Sequence, residues 1–345
     1  MNLEKVIVVG ASGYSGEELV RLLIRHPHVD LAAVTSRQLA GQTVAQVFPR
    51  FAGMRFADVA FIESDVEQIV ASGARFVFLA LPHGVAAEFA RPLVAAGLRV
   101  IDLSADFRIK DAAVYQEFYG EAPHAPELAA QSVYGLPEIY RDEIKSASLV
   151  ASPGCYPTSI ILPLHPLLQR QLIKAQSIVV CSLSGVSGAG RNAKTDFLYV
   201  ECNESLRTYS VPKHRHLAEI EQELTLAAGE RVTINFIPHL VPVNRGIHST
   251  ILCAPVDGIE DWHIANAFTE AYGREPFVRL LGEKALPDTK NVVQTNFVDI
   301  AWRHDPRTGR LVLLSAEDNL TKGAAGQAVQ SLNLMCGWPE TTGLV

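Results

Sequence analysis

Apolar and polar positions follow two different rhythms along this chain, and the change falls near residue 155. In KVIVVGASGYSGEELVRLLIRHPHVDLAAVTSR, a compact β-branched run from Val6 to Val9 leads into a glycine turn. Leu19, Leu22 and Leu23 then recur at helical spacing, which predicts a helix beginning near Tyr14, and Leu31 to Thr35 supplies a second strand. The same alternation continues with a strand ending at Leu81, a helix after Gly84 and a strand around Val100 to Leu103. Strands alternating with helices predict a parallel, doubly wound sheet.

Beyond residue 160 the strands follow one another more closely. LIKAQSIVVCSLSG gives one, ERVTINFIPHLVPVNRGIHSTILCAPVD gives two, and KNVVQTNFVDIAWRHDPRTGRLVLLSAEDNL reads as a hairpin turning at Asp305 to Gly309. These predict a mixed or antiparallel sheet. DGIEDWHIANAFTEAYG adds a helix whose apolar stripe, Ile259, Trp262, Ala265 and Phe268, is expected to pack in the core. NLTKGAAGQAVQSLNLMCG reads as a helix rich in small residues, expected to return to the first domain. With 345 residues the chain has room for two cores. The expected division is residues 1–154, then 155–318, then a returning segment at 319–345.

Composition narrows the functional classes. A net charge of −7 without a long basic run gives no electrostatic reason to expect nucleic acid. No apolar run is of membrane-spanning length, and MNLEKVIVVGASG enters a strand pattern directly, unlike a secretory leader. A cytoplasmic location is expected. The five cysteines, at 155, 181, 202, 253 and 336, are odd in number and widely spaced, so reduced thiols are expected rather than a zinc knuckle or dithiol. Cys181 and Cys253 sit in strand patterns and Cys336 follows the last helix, so these three read as structural.

Candidate chemistry gathers at the junctions. Gly10, Gly13 and Gly16 combine a tight turn, room for a pyrophosphate and close helix packing, inside a strand-turn-helix-strand unit. The second strand ends in Ser36 and Arg37 with no acidic residue to bind a ribose diol, which favours NADP over NAD. Ser104, Asp106 and Arg108 follow a later strand, and Arg108 can clamp a phosphate or carboxylate through two donors. His83, in the loop after an earlier strand, either lines the crevice or packs structurally. LVASPGCYPTSI reads as strand, Pro-Gly turn and helix, so Cys155 falls near a helix N-terminus, where amides and the dipole favour a thiolate. SLSGVSGAGRNAK offers backbone donors with Arg191 and Lys194 for an anion. In KHRHLAEI, His214, Arg215 and His216 precede Glu219, which can orient an imidazole at helical spacing.

Taken together, the glycine segment at 10–16, SPGCYPT at 152–158, SGVSGAGR at 184–191, KHRHLAEI at 213–220 and NLTKGAAGQAVQ resemble the semialdehyde dehydrogenase group. Within it they are most similar to the N-acetyl-gamma-glutamyl-phosphate reductases of arginine synthesis. The resemblance runs over essentially the whole chain. It implies an α/β fold in which a Rossmann-like NADP-binding domain joins an α+β domain, as in the glyceraldehyde-3-phosphate and semialdehyde dehydrogenases. It also implies Cys155 as nucleophile and a histidine of the 214–216 segment as acid-base partner, His216 being favoured because Glu219 can support it. Cofactor contacts implied are Gly10, Ser12, Gly13, Tyr14, Ser15, Gly16, Ser36, Arg37, Ser187, Gly188 and Asn319. Arg108, His214, Arg215 and Glu219 are the implied substrate residues. The expected partners are a small acyl phosphate and further copies of the chain as a dimer or tetramer, without nucleic acid, membrane or metal. Two relatives of the same chemistry stay open, one acting on aspartyl phosphate and one on a carrier-linked aminoadipyl phosphate. A nucleotide-sensing protein or a thiol hydrolase would leave either the Cys155 and histidine set or the dinucleotide unit without a role.

Overall fold

The computed structural model describes residues 3–345. The chain divides into two compact units, one made of residues 1–116, 121–153 and 324–345 and the other of 117–120 and 154–323.

The first unit is built on seven strands, β1 (Glu4–Val9), β2 (Val29–Thr35), β3 (Phe61–Ile62), β4 (Phe76–Leu79), β5 (Arg99–Asp102), β6 (Val133–Tyr134) and β7 (Leu149–Ala151), in the order β3-β2-β1-β4-β5-β7-β6. Every pairing in it is parallel. Val6 to Val9 and Phe76 to Leu79 are fully buried, as expected for central strands covered on both faces. Apolar clusters lie on each face, one around Val6, Val8, Leu19 and Leu23, the other around Ile7, Val9, Ala90 and Leu93. The helix Gly326–Cys336 packs against the helices Tyr14–Leu23 and Pro137–Ser146. Its onset differs from the sequence reading: Thr321–Ala325 winds as a π-helical turn before the α-helix starts. Cys336 is the last residue of that helix, and burial pushes its thiol up to about 12.

The second unit carries β8 (Val179–Gly185), β9 (Arg207–Thr208), β10 (Asn235–Val241), β11 (Ile247–Cys253), β12 (Val278–Gly282), β13 (Val298–Asp305) and β14 (Arg310–Glu317), in the order β12-β13-β14-β11-β8-β10-β9. The sheet is mixed, with β8–β10 and β12–β13 parallel and the other pairs antiparallel. Alternate residues of β11 and β14 point inward, Ile247, Ser249, Ile251 and Cys253 on one, Leu311, Leu313, Ser315 and Glu317 on the other. The helix Cys155–Gln169 lies on this sheet, against β11, β14 and the helices His216–Ala228 and Asp261–Tyr272. Buried serines tie it down: Ser159 and Ser249 hydroxyls meet at 2.8 Å, Ser182 and Ser249 at 2.7 Å, and Ser315 Oγ donates to the Ser159 carbonyl at 2.6 Å. Because buried polar groups are costly when unpaired, this relay fixes both the height and the rotation of the helix that begins at Cys155.

The apolar stripe assigned to 259–268 needs correction. Ile264, Ala267, Phe268 and Tyr272 are its buried residues, whereas Trp262 is 55 % exposed, stacked on His263 and hydrogen-bonded to Glu260. Glu260 and His263 form a reciprocal cap at the helix start, and the indole near that end lies over the cap rather than in the core.

Candidate active site

In the first unit the glycine turn has three distinct jobs. Gly10 has φ +81°, and a Cβ on it would lie 2.5 Å from the Ala80 carbonyl oxygen, so only glycine fits. Gly16 lets the helix Tyr14–Leu23 press onto the turn, since a Cβ there would meet the Gly10 oxygen at 2.5 Å. Around Gly13 there is open space, with no atom closer than 4.0 Å to a Cβ position, and the helix it precedes has no side-chain cap. That leaves first-turn amides and the dipole for an anion, which fits a dinucleotide pyrophosphate. Ser12, Tyr14 and Ser15 belong to the same turn and helix start, with Tyr14 36 % exposed. Ser36 Oγ lies 3.4 Å from Ser12 Oγ, so the end of β2 meets the glycine turn. Arg37 beside it is exposed and forms no ion pair among the described residues. Arg108 is buried, with Nη2 donating to the Leu103 carbonyl at 2.7 Å. Asp106 accepts from the Gly84 and Ala87 amides and so secures the start of the helix Ala86–Ala95. His83 is exposed at the loop preceding that helix.

In the second unit Cys155 is the first residue of its helix, and Gly154, which precedes it, supplies no side-chain cap. The Gly154 N–H donates to Glu219 Oε1 at 2.8 Å, and Glu219 is fully buried. The His216 ring covers the same glycine: a Cβ on Gly154 would lie 2.6 Å from Nε2. Gly154 is therefore small because an imidazole occupies its side-chain position beside the cysteine. Glu219, expected to back the imidazole or touch a substrate, commits one oxygen to the backbone of the cysteine turn. The sequence reading missed this because a carboxylate holding a main-chain amide leaves no side-chain pattern.

The two histidines differ. His214 Nδ1 accepts the His216 backbone N–H at 3.0 Å, and burial, with Arg215 adding to it, pushes its pKa down to about 4. Its ring packs edge-on against Tyr156, Tyr209, Phe236 and His216. Tyr209 donates to the Tyr156 hydroxyl at 2.9 Å, and burial raises the pKa of both phenols. Neither tyrosine was singled out from the sequence. Tyr156 adjoins Cys155, but RTYSVPKHRH has no periodicity to mark Tyr209. Arg215 is exposed, with its guanidinium 5.9 Å from the Tyr119 ring centre.

A separate cluster joins the end of β8 to the residues after β14. Asn319 donates to Ser187 Oγ at 3.0 Å and accepts the Gly246 N–H at 2.9 Å. A Cβ on Gly188 would lie 3.1 Å from Ser184 Oγ and 3.8 Å from Asn319 Nδ2, so Ser187, Gly188 and Asn319 form one patch. Arg191 and Lys194 are exposed beyond it. Cys253, buried in β11, has its thiol pushed up to about 12 by burial. Among the described residues no cluster of three or more His, Cys, Asp or Glu could hold a metal, and no helix is long and apolar enough to cross a membrane.

A thiol at a helix N-terminus next to an imidazole, with a dinucleotide-binding sheet elsewhere in the chain, is an arrangement suited to dehydrogenases that work through a cysteine. Family comparison also gives a dehydrogenase. Residues 5–147 match the semialdehyde dehydrogenase NAD binding domain and residues 155–319 its dimerisation domain. The N-acetyl-gamma-glutamyl-phosphate reductase of Akkermansia muciniphila is 56 % identical over 344 residues, spanning 100 % of this chain and 99 % of that one. That of Geobacter sulfurreducens is 51 % identical over 99 % of this chain and 97 % of its own. The chain belongs to the semialdehyde dehydrogenase family, in its N-acetyl-gamma-glutamyl-phosphate reductase branch. The fold is shared with aspartate semialdehyde dehydrogenase II of Vibrio cholerae, at TM-score 0.72 and 18 % identity over 98 % of this chain and 99 % of that one.

Proposed function

We propose that the chain catalyses the NADPH-dependent reductive dephosphorylation of N-acetyl-gamma-glutamyl phosphate to N-acetylglutamate 5-semialdehyde and phosphate, a step of arginine biosynthesis. The observation that carries the chemistry is Cys155 at a helix N-terminus with the His216 ring packed over Gly154. The full-length identity to reductases of that name supports the substrate.

His216 takes the thiol proton, and the helix terminus favours the thiolate. Cys155 Sγ attacks the acyl carbon, a C–S bond forms, the C–O bond to phosphate breaks and phosphate leaves. Amides of the first helical turn are assigned to the developing oxyanion; Pro157 has none and the Thr158 N–H donates to the Gly154 carbonyl, which leaves those of Cys155 and Tyr156. A reduced nicotinamide, when bound, supplies a hydride to the thioester carbonyl. His216 donates its proton to the resulting oxyanion and takes one back as the C–S bond breaks, which releases the aldehyde and restores the thiolate. Glu219 keeps the turn in place through Gly154. The glycine turn and Ser36 with Arg37 would hold the dinucleotide and its 2′-phosphate, and Ser187, Gly188 and Asn319 are assigned to the cofactor as well. Arg108 and Arg215 are assigned to the substrate's carboxylate and phosphate. The enzyme works in the cytoplasm as a homo-oligomer, a reading supported by the family description of residues 155–319 as a dimerisation domain.

The test follows phosphate-dependent NADP reduction by purified protein on N-acetylglutamate, aspartate and carrier-linked aminoadipate semialdehydes. The N-acetylglutamate compound is expected to show the highest kcat/KM, and Cys155→Ser to lower it by about 10³-fold or more while leaving the melting transition in place. A preference for either other aldehyde reassigns the substrate, and an active Cys155→Ser protein removes the thioester route.

A further inference from the structure

On β14 the inward positions run Leu311, Leu313, Ser315, Glu317, and the last is a carboxylate where the alternation calls for an apolar side chain. Its partners across the sheet, Ile247 and Val298, are apolar and fully buried, as is Glu317 itself. Burying a carboxylate there is costly, so its placement needs a reason. Gly323, in the π-helical turn, shows where that carboxylate points. A Cβ on Gly323 would lie 2.9 Å from Glu317 Oε1 and 2.9 Å from Cys155 Cβ, with Cys155 Cα at 3.2 Å. Glu317 Oε1 and the Cβ of Cys155 thus lie on either side of the missing side chain of a glycine, each 2.9 Å from it, which sets the carboxylate close enough to the cysteine to bias its acidity. The π turn is a winding that recurs at functional sites, and here it brings a glycine to the one place where a side chain would separate the two.

Resting on the reading of Cys155 as nucleophile, we propose that Glu317 is a positioning residue that sets the acidity of the Cys155 thiol and holds its side chain against the helix entrance. The other titratable groups around the cysteine turn are His216, His214 and Glu219 from the helix His216–Ala228 and the segment before it, Tyr156 and Tyr209, and Lys322, fully buried next to Gly323. The helix terminus and an imidazolium both favour thiolate. Left unopposed they give a thiol of low pKa, and a thiolate loses nucleophilicity as its pKa falls, with a slope of about 0.5. A carboxylate against the Cβ opposes them. It keeps the pKa nearer the working pH and the sulfur reactive.

The experiment measures alkylation of Cys155 by iodoacetamide from pH 5 to 10, read by mass spectrometry of the Cys155 peptide, in wild type and Glu317→Gln. A midpoint lower by about one pH unit is expected, and two opposite rate changes with it. Below the midpoint alkylation speeds up about threefold, because tenfold more thiolate is partly offset by weaker nucleophilicity, and on the alkaline plateau it slows by about the same factor. Curves that cross in this way separate acidity from loosening of the turn, which would move both limbs together. Glu317→Asp withdraws the same charge by one methylene and is expected to shift the midpoint the same way by less, which also serves if the glutamine variant does not fold. A midpoint unchanged or raised in the folded variant overturns the proposal. Full turnover by Cys155→Ser would instead overturn the underlying mechanism.

Discussion

The proton that His216 donates from its backbone to His214 Nδ1 fixes the tautomer of His214, leaving its own proton on Nε2. With its pKa held near 4 by burial and by Arg215, the His214 imidazole is neutral throughout the neutral range. A ring that does not change charge there cannot set a pH limb. His216, packed on Gly154 next to the cysteine, is the proposed partner for proton exchange with Cys155. His216→Asn is expected to lower kcat by about 10²–10⁴-fold and to abolish the pH limb set by proton transfer. In His214→Asn the limb should stay at the same pH whatever the fall in rate, so a kcat profile against pH for the two variants separates the roles. A limb that moves in the His214 variant and not in the His216 variant would exchange them. Spacing alone could not make this distinction, because residues two apart at a helix entrance are equivalent until the backbone hydrogen bond is seen.

At the level of elements, the proposed 2′-phosphate site lies where the strand that ends at Thr35 gives way to Ser36 and Arg37. Thr35 spends its side chain internally, its hydroxyl meeting Ser64 Oγ at 2.7 Å, so Ser36 and Arg37 are the next groups in line. Arg37 is exposed and uncommitted to an ion pair among the described residues. One charge-assisted hydrogen bond to a 2′-phosphate contributes about 1.5–3 kcal/mol, so Arg37→Ala should reduce the NADPH to NADH ratio of kcat/KM by about 10- to 100-fold. The loss should fall almost wholly on NADPH, and initial rates with both cofactors check it. An unchanged ratio would assign the 2′-phosphate to other residues. The glycine turn and β2 could be read from the sequence because local steric rules dictate them. Trp262 was misread because helical spacing says which residues share a face but not that a reciprocal cap will draw one of them outward. Glu317 and Gly323 were missed for a different reason: a glutamate at an inward strand position breaks the alternation visibly, but its partner lies across the sheet and a π turn that no periodicity announces.

For the molecule as a whole, two buried titratable groups in the first unit pull stability in opposite directions with pH. Asp102, at the end of β5 and fully buried, has its pKa raised to about 7 by burial and then by Asp106, while its Oδ2 accepts the Ser104 hydroxyl at 2.7 Å. The folded state therefore binds the proton that the unfolded chain releases near its ordinary carboxylate value, and stability declines as pH rises from about 4 to about 7. His26 behaves in the reverse sense. It is fully buried, its Nδ1 accepts the His28 N–H at 3.2 Å, its Nε2 meets Asn333 Oδ1 at 2.9 Å, and burial lowers its pKa. Its neutral form is the native one, so its contribution is present above about pH 6.5 and is lost as pH falls below that value. Asn333 in turn donates to the carbonyls of Glu340 and Thr342, and its Oδ1 can accept from Nε2 in either state, so the contact that charging the ring breaks is the one from the His28 N–H to Nδ1. The midpoint of thermal unfolding, followed from pH 4.5 to 8.5, is expected to fall as pH rises towards about 7 and to level off above it, with the His26 slope offsetting the fall just below about pH 6.5. Asp102→Asn should raise the alkaline side, by up to about 4 kcal/mol from a shift of about three pH units, and leave the acid side where it is. His26→Asn removes the opposing slope and should steepen the decline below about pH 6.5 while leaving the alkaline side unchanged. If Asp102→Asn were less stable than wild type at pH 8, the buried carboxyl would be a net stabilising charge there, and the sign assigned to it would be wrong.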